Sequence, residues 1–170
     1  MNYIIGPGSP NDKASIPLAT SCGTYIPNER RLEADPSTLR AMLDFQKKYH
    51  PSARLRSLTQ VYNCMGLVFA SRRTCIDLDY LKMILKDDNY VKVVDGMDAK
   101  VGDIVIYRDN YELKHLGIII NVNLDLPKAT HEFEVLSQWG SHGEYLHSLK
   151  DVPKSYGTDV EVWTERRSPK

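Results

Sequence analysis

The chain has 170 residues, enough for one domain with an ordinary hydrophobic core. Lys plus Arg and Asp plus Glu each number 22, so a nucleic-acid-binding surface and an acidic disordered tail are both excluded. No apolar run is long enough to span a membrane, and three cysteines do not indicate a disulfide framework. We therefore expect a single domain over residues 1–170 that binds no nucleic acid and has no membrane span.

The two ends of the chain are predicted to be irregular. The segment from Gly6 to Asn28 is rich in Pro, Gly, Ser and Thr, so residues 1–34 are predicted to form an irregular arm over the domain. The N-terminus lacks the basic and long apolar regions of a secretory signal. We therefore expect a cytoplasmic protein, or one exported by a route that needs no signal peptide. Residues 165–170 are predicted to form a frayed tail.

Helices are predicted wherever a capping residue precedes apolar residues at helical spacing. Asp and Asn are good N-caps because their side-chain oxygens accept N–H groups that are unpaired in the first turn. Proline suits the first helical position because it needs no N–H partner there. The predicted caps are Asp35, with a helix to about Tyr49; Asn63, with a helix to near Arg73; and Asp77, with Leu78, Leu81, Ile84 and Leu85 buried.

From Tyr90 onward the pattern changes to runs rich in β-branched residues, which are typical of strands. Asp109-Asn110 lies between two of these runs and predicts a β-hairpin. The predicted strands are residues 90–94, 104–107, 116–121, 133–139, 145–148 and 160–164. Helices followed by strands indicate an α+β fold, with N-terminal helices packed on a C-terminal antiparallel β-sheet.

Cys64 is the first residue of the predicted second helix, straight after its cap Asn63. The unpaired N–H groups and the dipole of a first helical turn favour negative charge, and a thiolate is negative. This position therefore indicates a nucleophilic cysteine. The alternative is a buried core cysteine, because Cys is among the most often buried residue types.

His115 is the last polar residue before the apolar strand predicted at 116–121. A histidine at such a position can face the first turn of a helix packed on the sheet and act as a general base. An exposed histidine at a strand end is the alternative. His147, on a later strand, can also approach this site, or can make a structural polar contact only.

Together these two segments resemble the NlpC/P60 peptidases and the related CHAP amidases, which are papain-like cysteine enzymes. The family's Cys-box has the pattern Asp-Cys-Ser-Gly-Leu/Phe-Val, and the matching residues here are Asn63-Cys64-Met65-Gly66-Leu67-Val68. The residues that match its His-box are Gly102-Asp103-Ile104-Val105 followed by His115-Leu116-Gly117-Ile118. The resemblance covers residues 58–140 and implies the NlpC/P60 fold. Two residues depart from the family pattern: Asn63 replaces the commoner Asp, and Met65 replaces a small polar residue.

The resemblance also implies a third residue, on the strand after His115, that orients the imidazole ring. It aligns Ser137 with that residue. Gln138 is the alternative, because its carbonyl oxygen can accept from an imidazole N–H. Strand alternation places the two side chains on opposite faces, so only one can point at His115. The oxyanion would be bound by the N–H of Cys64, with Tyr62 or Gln60 as a further donor.

The resemblance implies a bacterial cysteine peptidase or amidase that hydrolyses an amide bond through a Cys thioester. Its expected partner is a peptide or peptidoglycan-fragment substrate, and an immunity or regulatory protein is a further candidate partner. No residue spacing matches a metal site, and we expect no cofactor. Two alternatives stay open: a catalytically inactive NlpC/P60-like binding module, and a papain-like acyltransferase or deamidase that acts on an intracellular protein or lipid.

Overall fold

The structure, a computed structural model, describes residues 15–94, 98–123 and 132–165. In chain order the elements are β1 Asn28–Glu29, α1 Pro36–Tyr49, β2 Arg54–Ser57, α2 Cys64–Phe69, β3 Cys75–Ile76, a 3-10 turn Leu78–Tyr80, α3 Leu81–Asp87, β4 Val91–Lys92, β5 Ile104–Asp109, β6 Glu112–Asn123, β7 Glu132–Gln138, β8 Glu144–Ser148, a 3-10 turn Lys154–Tyr156 and β9 Asp159–Thr164. The α+β class is therefore confirmed, with more sheet than helix.

The main sheet has seven strands in the order β2-β8-β7-β6-β5-β9-β4, and neighbouring strands are antiparallel. The predicted hairpin is confirmed between β5 and β6, where Asp109 pairs with Glu112. Asn110 and Tyr111 between them have φ values of 48° and 69°. Two successive left-handed residues match the right-handed twist of the flanking strands, so the turn holds β5 and β6 in register.

The two faces of the sheet have different neighbours. Ile104, Ile106 and Leu116 pack with α2 and α3 in one buried cluster, and we call this side the helix face. Val105 and Tyr107, which alternate with Ile104 and Ile106 along β5, pack in a second cluster on the other side of the sheet, which we call the far face. Because successive strand residues point to opposite faces, every second residue of β6 turns away from the helices.

Several predicted boundaries differ from the observed ones. The helix α2 ends at Phe69, not near Arg73, because Ser71 and Arg72 adopt left-handed φ values of 50° and 66° and the Arg72 N–H bonds back to the Gly66 carbonyl. The cap Asp77 begins a 3-10 turn that leads into α3. The strands β1, β2 and β3 were not predicted, because they are two to four residues long and lack an alternating apolar pattern.

The predictions for the chain ends fall partly outside the described residues, which exclude 1–14 and 166–170. From residue 15 the arm is irregular up to β1, apart from a single bridge between Ala19 and Tyr25. No helix within the described part of the chain is both long and apolar enough to cross a membrane.

Candidate active site

The helix α2 begins at Cys64, and its cap Asn63 holds it against β3. The Asn63 Oδ1 accepts the Gly66 N–H at 2.9 Å and the Ile76 N–H at 3.2 Å. Its Nδ2 donates to the Ile76 carbonyl at 2.7 Å. An aspartate could cap the helix but could not make this third bond, because a carboxylate has no donor. The Asn63 side chain therefore both starts α2 and fixes it to its neighbouring strand.

The Cys64 thiol is buried, with 7% of the residue exposed, among the apolar side chains of the helix face. Burial raises its pKa to about 11, although the N–H groups of Leu116, Met65 and Cys64 itself favour the thiolate and act in the opposite direction. The sulfur thus lies at the backbone of β6, next to the residue that follows His115. At neutral pH it is a protonated thiol.

The His115 ring lies on the far face, where it stacks on Tyr156 with 4.1 Å between ring centroids. The Tyr107 ring is also beside it, at 5.8 Å. Burial, with a smaller contribution from the charge of His147, lowers the pKa of His115 to about 3, so the imidazole is neutral at pH 7. Its Nε2 is buried and has no hydrogen-bond partner among the described residues.

Cys64, on α2, and His115, on β6, therefore lie on different sides of β6, so the expectation that His115 faces the first turn of α2 is wrong. The thiol belongs to the cluster that includes Leu116, on the helix face, whereas the imidazole packs with Tyr107 on the far face. A cysteine with a pKa near 11 and a histidine with a pKa near 3 do not form a thiolate–imidazolium pair at neutral pH. The described protein thus holds the two groups on different sides of β6, each in its neutral form.

Ser137 lies on the far face, as His115 does, but its hydrogen bonds go to other residues. Its Oγ is 2.7 Å from the His147 Nε2, and it accepts the Trp139 Nε1–H at 2.9 Å. The residue is fully buried. The prediction that Ser137 holds the His115 imidazole is therefore not realised as a direct contact: the serine is bonded to a second histidine.

Gln138, the alternative third residue, points to the helix face, opposite to Ser137 as strand alternation predicted. Its Nε2 donates to the carbonyls of Thr59 at 2.8 Å and Gly140 at 3.0 Å. These bonds connect the end of β7 to the loop before α2. Gln138 therefore orients that loop and does not bond to the imidazole.

The two proposed oxyanion side chains are engaged elsewhere. The Tyr62 hydroxyl donates to Glu144 at 2.8 Å, and Gln60 donates its amide to the sulfur of Met42 at 3.4 Å. Glu144 is fully buried and is also paired with Arg72 at 2.7 Å and Arg56 at 3.0 Å. Because two cations and a hydroxyl satisfy this carboxylate, the network anchors the loop before Cys64. Neither side chain is therefore free to act as the further oxyanion donor expected from the resemblance.

Tyr156 is a neighbour of the site that the sequence analysis missed. It stacks nearly parallel on His115, with 12° between the ring planes, and burial raises the pKa of its hydroxyl. It belongs to a short 3-10 turn that follows an irregular segment, so no periodic pattern marks it. Only the pairing of β9 with β5 brings this turn over the imidazole.

A surface groove of about 840 Å³ opens beside the N-cap of α2. Its walls include Asn63 and Cys75, and the charged side chains of Glu29 and Arg31 contribute polar surface. Cys64 and His115 do not line it. The groove reaches the residue before the candidate nucleophile, so a peptide lying in it would pass next to the start of α2.

Comparisons with protein-family models, with curated proteins and with solved structures find no match for this chain. The resemblance to NlpC/P60 peptidases therefore depends on the two boxes around Cys64 and His115. The chain's own residues have to carry any functional proposal.

Proposed function

We propose that the protein is a cysteine peptidase or amidase of the NlpC/P60, papain-like type, with Cys64 as its nucleophile. The observation that carries the proposal is the location of the Cys64 sulfur. It lies in the first turn of a capped helix, among the N–H groups of Met65, Cys64 and Leu116, the residue that follows His115 on β6. Such N–H groups stabilise a thiolate and, later, the oxyanion of an acyl-transfer reaction.

In the proposed reaction, the Cys64 S–H proton passes to His115 and the thiolate attacks the carbonyl carbon of an amide. The N–H of Cys64 binds the resulting oxyanion, and His115 returns the proton to the departing amine. Water then attacks the thioester, with His115 as base, and releases the acid and the free thiol. Catalytic hydrogen bonds are often long in the free enzyme and shorten when substrate binds. Because the thiol and the imidazole lie on different sides of β6, the proposed proton transfer requires a rearrangement that brings them to the same side.

A peptide from bacterial peptidoglycan is the substrate class that the resemblance to NlpC/P60 enzymes favours. The groove beside Asn63 supports a peptide, because it presents Arg31 and Glu29 together with apolar surface. A lipid is the alternative substrate of an acyltransferase, and the charged Glu29 and Arg31 in the groove favour a peptide over it. An intracellular protein is the remaining substrate class.

A catalytically inactive binding module is the second candidate function. The observation that favours it is the protonation state of the site: a buried neutral thiol and a buried neutral imidazole, on different sides of β6. In this alternative the groove beside α2 binds a peptide that is not cleaved.

The first test is the digestion of purified muropeptides, with mass analysis of the fragments. We expect the wild-type protein to cleave them and Cys64→Ala to lose all measurable turnover, because no other group replaces the nucleophile. Cys22→Ala is the matched control, since Cys22 is an exposed cysteine whose sulfur contacts the Asp87 carbonyl at the end of α3, and it should keep full activity. Retained turnover in folded Cys64→Ala protein would defeat the assignment. If the wild type cleaves no muropeptide, cell-wall peptides are excluded as its substrate.

The second test is the pH dependence of alkylation by iodoacetamide in the free protein. Because the pKa of Cys64 is raised to about 11, we expect its labelling to be slow at pH 7 and to accelerate as the pH approaches that value. The exposed Cys22 should be labelled faster at neutral pH and serves as the internal comparison. Rapid, selective labelling of Cys64 at mildly acidic pH would instead show that a thiolate–imidazolium pair exists without substrate.

A further inference from the structure

A second groove lies between α3 and the strands β5, β6 and β9, and we call it the α3 groove. Its volume is about 600 Å³, within the range of about 300–1,000 Å³ that is typical of small-molecule sites. Leu78 borders both this groove and the groove beside Asn63, but neither Cys64 nor His115 lines the α3 groove. The proposed reaction therefore gives the α3 groove no role.

Most of the surface of the α3 groove is apolar. The apolar side chains that line it are Leu78, Leu81, Leu85, Tyr90, Leu113 and Trp163. Leu81 and Leu85 are buried in the core cluster of the helix face, and the other four are partly buried against that cluster. A ligand that covers these side chains removes their remaining apolar surface from water, which stabilises the complex.

The sheet side of the α3 groove is held by hydrogen bonds to one carboxylate. The Trp163 Nε1–H donates to the Glu161 Oε2 at 3.1 Å, and the Arg108 Nε–H donates to the same oxygen at 3.2 Å. The Arg108 Nη1 also donates to the Tyr111 carbonyl at 3.1 Å, and Lys92 pairs with Glu161 at 2.9 Å. Trp163 and Arg108 are therefore positioned before a ligand binds, so that binding orders few side chains.

Cations predominate among the charged residues that line the α3 groove. Within the described part of the chain these residues are Lys82, Lys86 and Arg108, against the single acid Asp79. Arg108 is already paired with Glu161, which does not line the groove. The two lysines are therefore the cations available to a ligand.

Lys82 and Lys86 are exposed on α3 and lie one helical turn apart. Among the residues that the structure describes, no carboxylate is within ion-pair distance of either ammonium group. Asp87 acts on Lys86 only from a greater distance, because its carboxylate accepts the hydroxyls of Thr20 and Thr24. Like charges four residues apart on a helix repel each other, and an anion bound between them removes this repulsion.

The surroundings of Tyr90 have the opposite charge. Burial, with the charges of Glu165 and Asp88, raises the pKa of the Tyr90 hydroxyl to about 12. These two carboxylates would repel an anionic group beside that hydroxyl. An anion in the α3 groove is therefore favoured at Lys82 and Lys86, with the rest of the ligand on the apolar walls.

We propose that the α3 groove is a binding site for a medium-chain fatty acid, as a ligand and not as a substrate. The aliphatic chain covers the apolar walls, and the carboxylate binds the ammonium groups of Lys82 and Lys86. An uncharged chain would leave the repulsion between the lysines in place. A small polar anion would leave the apolar walls exposed to water.

The location of the site is tested by ¹H–¹⁵N spectra of the full chain titrated with octanoate. The chain has two tryptophans, Trp163 in the groove and Trp139, which is fully buried beside Ser137. We expect a saturable shift of the Trp163 indole N–H signal and none of the Trp139 signal, with the assignment made in Trp163→Phe. The Kd should fall several-fold from hexanoate to octanoate and again to decanoate, because each further methylene buries apolar surface.

The role of the lysines is tested by calorimetric titration with octanoate and with 1-octanol. We expect 1-octanol to bind about tenfold more weakly than octanoate, because it lacks the charge that strengthens hydrogen bonds from ammonium groups. The double variant Lys82→Gln/Lys86→Gln should weaken octanoate binding about tenfold and leave 1-octanol binding unchanged. Lys47→Gln/Lys48→Gln is the matched control, since it removes the same charge from α1, which does not line the groove. Its Kd for octanoate should equal that of the wild type.

Three results would each overturn the inference. They are the lack of a saturable Trp163 shift with octanoate, equal affinities for octanoate and 1-octanol, and an unchanged octanoate affinity in Lys82→Gln/Lys86→Gln. Both lysines are exposed, and glutamine is about as good a helix former as lysine, so the double variant is expected to fold. Binding is measured without turnover, so its outcome is independent of the Cys64→Ala result that tests the proposed function.

Discussion

Gly66→Ala is expected to destabilise the protein by several kcal/mol and to displace α2 from its neighbouring segment. A Cβ at this position would lie 1.7 Å from the backbone carbonyl oxygen of Thr74, and backbone atoms cannot yield as a flexible side chain can. In an exposed helix the same change would stabilise by about 1 kcal/mol, because alanine is the better helix former. The expected change in the free energy of unfolding is therefore opposite in sign to the change that helix propensity alone predicts. Chemical denaturation followed by circular dichroism measures it.

The control for this substitution is Gly23→Ala, which adds the same methyl group where no atom lies within 4 Å. Gly23 has a φ of 83°, a left-handed conformation that is unfavourable for a residue with a side chain. Gly23→Ala should therefore lower the free energy of unfolding by only roughly 1–2 kcal/mol. Equal stability of Gly66→Ala and the wild type would show that α2 is not docked against Thr74. Gly66 thus has a packing role, because its lack of a side chain lets α2 approach the backbone of Thr74.

Acidification from pH 7.5 to pH 5 is expected to lower the free energy of unfolding on the order of a few kcal/mol. The pKa of buried His115 is lowered to about 3, and that of His147 is also lowered by burial. Between about pH 3 and the unfolded pKa of about 6.5, the unfolded chain binds a proton at His115 that the folded chain does not, and the lowered pKa of His147 acts in the same direction. Stability is therefore complete above about pH 6.5 and is lost as the pH falls toward 3. Urea denaturation at several pH values measures the slope.

The histidines can be separated from the carboxyl groups by the pH at which the loss occurs. Asp35, Asp87 and Glu112 also have lowered pKa values, from the groups that donate to them, but the unfolded pKa of a carboxyl group is only about 4. Loss between about pH 4.5 and 6.5 therefore reports the buried histidines. His115→Gln should reduce the slope of the free energy of unfolding against pH in this range, by the contribution of up to one bound proton. Equal stability of the wild-type protein at pH 5 and pH 7.5 would contradict the burial of these rings.

Much of the local structure was predictable because its causes are local. Asp35 and Asn63 cap α1 and α2 through their own side chains, and both helices begin where the sequence predicted. The β-branched runs became β5, β6, β7, β8 and β9, but β6 begins at Glu112, four residues before its predicted start, so His115 lies inside the strand and not at its end. Asp109-Asn110 marked the hairpin turn, because turn residues bond within a few positions of the chain.

The chain alone therefore determined the α+β class, the helix starts, the strands and the presence of a cysteine at a helix N-terminus. Only the tertiary structure decided which face of β6 packs on α2, and so which side of the strand His115 takes relative to Cys64. It also decided that Ser137 bonds to His147, because that contact joins β7 to β8 across the sheet. Strand alternation makes every residue face one of two sides, but the choice of side depends on what packs there. The same packing, by excluding water, set the pKa values that local sequence could not indicate.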